Sequence, residues 1–157
     1  MKAFEILKRL CEVRNESIAV KQTKPISNRA KLIMDILAEN GIEFEVDVFF
    51  HHTKQVVFTN IYVNFDNALS DERIVYTAHH DVNNINSMNV LDNTASVANL
   101  ISLAIQIQQQ KSFPKYRVTI AFTDNEEFGG SGSKRLAELI LMNEKNFEPE
   151  PPNSSLS

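Results

Sequence analysis

Two adjacent carboxylates, Glu126 and Glu127, stand just beyond the apolar run of residues 118–122, and Gly129, Gly130 and Gly132 follow them. Like charges side by side repel, so the pair needs water around it or a cation close by. A divalent cation near both carboxylates reverses the local electrostatics. One acid can then bind the cation while the other takes a proton from water on it; the residues alone leave open which does which. Two further stretches hold the same kinds of groups. In "AHHD", His79 and Asp81 lie two apart, so on an extended chain they point one way and His80 the other. Asp81 can accept from one ring nitrogen of His79 and turn the second nitrogen toward a metal. In "LDNTAS", Asp92 stands before a helical pattern, where its two oxygens can bridge a pair of cations, and Asn93 can hold the turn. Taken singly, each stretch has a plainer account: histidines at a strand end, an aspartate capping a helix, an acidic turn at a helix start. For all three to fall at successive loops by separate causes is improbable. His51 and His52 sit in an expected hairpin turn and read as solvated.

These loops need a scaffold that gathers them. Phe4, Ile6, Leu7, Leu10 and Cys11 recur at helical spacing, which predicts a first helix over 2–13. Ser27 can cap a second helix that Gly41 ends. Residues 44–50 alternate as a half-exposed strand, "HHTK" is the expected turn, and "QVVFTNIYVNF" the returning strand. "RIVYTAHHD" and "YRVTIAFTD" are almost continuously apolar, which predicts strands covered on both faces. The helical pattern between them makes a parallel crossover the expected connection. "SGSKRLAELILMNEK" gives a last helix. The expected fold is α/β, a three-layer α/β/α sandwich with a mixed, mainly parallel sheet. It forms one domain over 1–145, followed by a loose Pro- and Ser-rich tail over 146–157. In such sheets ligands bind beyond the carboxyl ends of the strands, where "AHHD" and "TDNEE" fall.

Composition narrows the partners. A net charge of −4 in 157 residues leaves no basic face for phosphates, so nucleic acid is not an expected partner. With 43% hydrophobic and 23% charged residues, the chain can bury a core. No membrane partner is expected, because no apolar run reaches the ~20 residues of a span. The N-terminal stretch is too interrupted by charge for a leader, so the chain reads as cytoplasmic. The single cysteine, Cys11, excludes an intrachain disulfide and reads as a small core residue.

"AHHD", "LDNTAS" and "EEFGGSGS" together resemble the M28 family of zinc aminopeptidases, over about residues 56–141. The resemblance implies two zinc ions and a peptide or aminoacyl substrate. It implies that His79 binds one ion with Asp81 supporting it, that Asp92 bridges the two, and that Glu127 binds the second. It makes Glu126 the general base. The family also carries an acidic ligand and a histidine further along. This chain has no Asp after Asp124 and no His after His80, and Glu148 and Glu150 lie in the tail. The chain therefore resembles the N-terminal part of the fold, with an exposed sheet edge through which it can self-associate. Glutaminyl cyclases, which resemble the same family, imply a single zinc and acyl transfer to an amine. A third expectation is a non-catalytic binding or assembly module that kept the scaffold without its metals.

Overall fold

The computed structural model describes residues 2–13, 26–51, 55–82 and 90–142. The loop expected over 14–25, most of the "HHTK" turn, the end of the last helix and the tail lie outside the described residues.

Helix α1, Ala3–Glu12, buries Ile6 and Leu10, one turn apart on a single face. Helix α2, Asn28–Glu39, begins where the sequence places its cap: the Ser27 hydroxyl accepts from the Ala30 N–H at 3.0 Å. It ends at Gly41, whose φ of +67° suits a residue without a Cβ. The N–H groups of Gly41 and Ile42 reach back to the carbonyls of Ala38 and Leu37, each at 3.0 Å, closing the last turn.

Strands β1 (Glu45–His51), β2 (Val56–Phe65), β3 (Arg73–His79) and β4 (Arg117–Thr123) form one sheet in the order β1-β2-β4-β3. β1 and β2 are an antiparallel hairpin, β2 and β4 pair antiparallel, and β3 and β4 pair parallel. Helix α3, Ala95–Gln109, makes the crossover from β3 to β4, and α4, Ser131–Met142, follows β4. Ile61, Val63, Val118, Ile120 and Phe122 pack with Ile6, Ile33, Leu37 and Ile101 from the first three helices. On the opposite face, Tyr62 and Ala121 pack with Leu136 and Leu139 of α4. Because helices cover both faces, alternate residues of β2 and β4 are buried on each side. This is the three-layer α/β sandwich with a mixed sheet that the sequence predicts.

Two expectations need correction. The described sheet is not mainly parallel: β2 returns from its hairpin to lie beside β4, so two of the three pairings are antiparallel. Nor is β3 covered on both faces. It is an edge strand, with Ile74, Val75 and Tyr76 at 37, 36 and 41% exposure. Its apolar run describes a strand with only one described neighbour, β4. The stretch Val90–Gln109 has the length and mean hydropathy of a membrane span, by length and composition only. Here its helix packs on the sheet through Val97, Ala98, Ile101, Ala104 and Ile105.

Candidate metal centre

Parallel pairing brings the carboxyl ends of β3 and β4 level. His79 lies opposite Thr123, and the His80 N–H donates to the Thr123 carbonyl at 2.8 Å. The loops after these two strands, and the turn Val90–Thr94 that leads into α3, meet at this end of the sheet. Each of the five residues singled out from the sequence lies in this group.

His79 is 8% exposed and sits between acids on both sides. Its Nδ1 lies 3.2 Å from the Asp81 carbonyl oxygen and 3.4 Å from Asp81 Oδ1. Its Nε2 lies 3.1 Å from Asp92 Oδ1 and 3.8 Å from Glu126 Oε2. A proton on Nδ1 donated to Asp81 leaves Nε2 facing the acid cluster, the arrangement a ligating imidazole needs. Burial works against a charge on the ring, but Asp81, Asp92 and Glu126 outweigh it and raise the pKa to about 9. Without a cation, a proton on Nε2 serves as the positive charge among the acids.

Asp81 does more than its spacing suggests. Its Oδ1 accepts from the Glu126 N–H at 3.0 Å and its Oδ2 from the Glu127 N–H at 3.2 Å. One buried carboxylate therefore holds both the imidazole and the backbone of the acidic turn. The sequence carries no signal for this second role, because it depends on parallel pairing that brings two loops level.

The two glutamates differ. The Glu126 side chain is 54% exposed. Glu127 Oε1 is buried and, among the described residues, has no hydrogen-bond partner. Burial first, then the charge of Asp92, raises the Glu127 carboxyl above its ordinary range, with His79 opposing. Ligand atoms of His79, Glu126 and Glu127 all lie within 4.8 Å of one another. An imidazole nitrogen with carboxylate oxygens is a zinc-type donor set, and a buried acceptor without a donor is a place a cation satisfies.

The acidic turn is clamped from beneath. Asp124 accepts from the N–H groups of Thr59 and Asn125 at 3.1 and 2.8 Å. Asn60 of β2 accepts from the Asp124 N–H and donates to the Gly132 carbonyl, each at 3.0 Å. Only glycine fits at position 132, where a Cβ would lie 2.4 Å from the Asp124 carbonyl oxygen. His80 is buried on the other side of the strand end, with Nε2 2.8 Å from the Thr59 carbonyl oxygen, and is not part of the group. His51 belongs to β1 and packs edge-on against Phe58, while His52 lies outside the described residues.

The fold has solved relatives. A glutaminyl cyclase from Fimbriiglobus ruber superposes with a TM-score of 0.67 at 17% identity, covering 91% of this chain and 55% of that one. The Legionella pneumophila LapA aminopeptidase superposes at 0.64 and 13% identity, covering 92% and 39%. A glutaminyl cyclase from Macrostomum lignano gives 0.68 at 15% identity, covering 94% and 46%. The chain thus spans about half the length of the structures it resembles, or less. No curated protein matches the sequence. The sequence pattern of peptidase family M28, by contrast, matches residues 60–149, over half of the chain and the span that holds His79, Asp81, Asp92, Glu126 and Glu127. The chain belongs to peptidase family M28.

Proposed function

We propose that this chain acts as a zinc-dependent, aminopeptidase-like hydrolase on an amide bond of a peptide or aminoacyl substrate. The observation that carries the reading is that ligand atoms of His79, Glu126 and Glu127 lie within 4.8 Å of one another, while Glu127 keeps a buried oxygen with no hydrogen-bond partner among the described residues. His79, Asp92 and Glu127 would hold the ion. Zinc, when bound, supplies a Lewis acid for the substrate carbonyl and a water acidic enough to ionise near neutral pH. Glu126 has no buried oxygen to satisfy and is half open to solvent, which suits the general base. It takes the proton from the attacking water and delivers it to the departing amine. Asp81 holds the imidazole and the acidic turn in register for both tasks.

The test combines elemental analysis of the purified protein with turnover of aminoacyl chromogenic substrates. Glu126→Gln is expected to lower turnover by about 10²- to 10⁴-fold and leave zinc content unchanged. Full metal-dependent turnover in that variant would remove Glu126 from the role of base. A wild-type protein that neither retains zinc nor hydrolyses any substrate would remove the reading itself.

A second reading has one observation in its favour. Ligand atoms of His79, Glu126 and Glu127, though not Asp92, gather within 4.8 Å, the size of a single ion's shell, and solved glutaminyl cyclases share the fold. In that reaction the N-terminal amine of a glutaminyl peptide attacks its own side-chain amide and ammonia leaves. One zinc per chain with ammonia release from a glutaminyl peptide supports the cyclase; hydrolysis of a plain aminoacyl amide supports the peptidase.

A further inference from the structure

Arg29 is 4% exposed, in the first turn of α2, and among the described residues its hydrogen bonds all go to neutral oxygens. Its Nε donates to the His80 carbonyl at 2.9 Å, its Nη2 to the Thr94 hydroxyl at 2.8 Å, and its Nη1 to the Leu10 carbonyl at 3.2 Å. Among the described residues no carboxylate lies within hydrogen-bond distance of it. Removing a guanidinium from water is costly, and three neutral acceptors do not obviously offset that cost. The position of those acceptors is informative. His80 lies between His79 and Asp81, and Thr94 lies two residues after Asp92. One rigid, planar fork therefore spans the two loops that carry a histidine and an aspartate of the metal group. Burial works against the Arg29 charge, and the field of Asp81 is among the interactions that favour it.

We infer that Arg29 is a positioning residue for the metal centre, fixing the spacing between the His79–Asp81 strand end and the Asp92 turn. It touches no donor atom itself and acts through the His80 carbonyl and the Thr94 hydroxyl. This rests on the metal reading above. Two variants separate it from general support of the fold. Arg29→Lys keeps the charge and loses the fork; Thr94→Val keeps the shape and loses one acceptor. Each is compared with wild type for circular dichroism, zinc affinity by competition with a chromogenic chelator, and the visible spectrum of cobalt(II) added in place of zinc.

The expected result is native circular dichroism, zinc affinity weakened about 10- to 100-fold, and a changed cobalt spectrum in both variants. With Arg29→Ala, added methylguanidinium should restore part of the lost affinity. A wild type that binds neither metal would overturn the metal reading and this inference with it. A wild type that binds, with folded variants matching it in affinity and spectrum, would overturn this inference alone. If Arg29→Lys does not fold, Thr94→Val decides: unchanged affinity and spectrum sink the proposal, and a weakened, shifted site upholds it.

Discussion

Two sets of acids, Asp47 with Asp124 and Asp92 with Glu126 and Glu127, are treated in opposite ways by the protein. Asp47 and Asp124, 8% and 3% exposed, have their donors in place. Asp47 accepts from Arg135 Nε at 3.0 Å, with the Tyr62 hydroxyl at 3.5 Å. Asp124 accepts from two backbone N–H groups. Asp92, Glu126 and Glu127 crowd instead around a single imidazole, and one buried oxygen of Glu127 has no donor among the described residues. Burial alone does not mark an acid as functional, since Asp124, at 3% exposure, is more buried than Asp81, at 7%, and yet is structural. What marks the second set is like charge crowded round one imidazole, with a single buried oxygen, that of Glu127, left without a donor among the described residues.

The comparison breaks most visibly at Asp124. Asp124→Ala strips an acceptor from the N–H groups of Thr59 and Asn125, both of which stay buried. The expected loss is about 3 kcal/mol of stability in chelator, read by urea unfolding. A loss under about 1 kcal/mol would mean that a satisfied acid is not structural here.

The second effect belongs to His79. Its folded pKa of about 9 exceeds the ordinary 6.5, so the protonated ring stabilises the metal-free fold. That contribution is fully present below pH 6.5 and is lost as the pH rises through about 9. Imidazole proton shifts followed by nuclear magnetic resonance should show one histidine titrating near the upper value. Zinc added below that pH should release a proton, because a ligating ring must be neutral. A metal-free His79 that titrates at its ordinary value would show that the acids do not act on it as the distances imply.

The third effect reverses the sign of the first. Glu127 has a raised pKa, so its charge costs the metal-free fold free energy at neutral pH. Glu127→Gln should therefore abolish tight zinc binding and stabilise the metal-free protein, by a few tenths to about 1 kcal/mol. The gain should shrink as the pH falls toward the ordinary carboxyl value of 4.5, where wild-type Glu127 also loses its charge. Equal stability of the two proteins across that range would place Glu127 with the ordinary surface acids.

The sequence exposes this contrast only in part. Ser27 and Gly41 bound their helix because caps and glycine turns act within a few residues. That His79, Asp92 and the glutamate pair come together was legible because each ends an element, and strand–helix–strand connection forces those ends together. Pair order was not legible. Nothing local says that β2 lies against β4, or that β3 is left at the edge with Ile74, Val75 and Tyr76 half open. Nor does "SNRAKLI" distinguish Arg29, buried under two loops, from an arginine on a solvated helix face. Asp124 and Glu127 are equally acidic in the sequence, and only the sheet decides which one finds N–H groups.

The smallest effect sharpens the comparison from outside the core. Glu39 accepts two bonds from the Arg9 guanidinium, at 2.7 and 2.9 Å, and so is as well partnered as Asp124. Its carboxyl is held below the ordinary 4.5, first by that bond, so its contribution is present at neutral pH and lost as the pH falls through the lowered value. Yet the pair lies in water, which competes for both groups and screens their attraction. Glu39→Gln should therefore leave the melting curve within the scatter of replicates, and Arg9→Gln, alone or combined with it, should do the same. A clear loss in each single variant, without further loss in the double, would give this exposed pair a strength it should have only when buried. Donors alone would then separate structural acids from the metal group, and burial would cease to matter to the distinction.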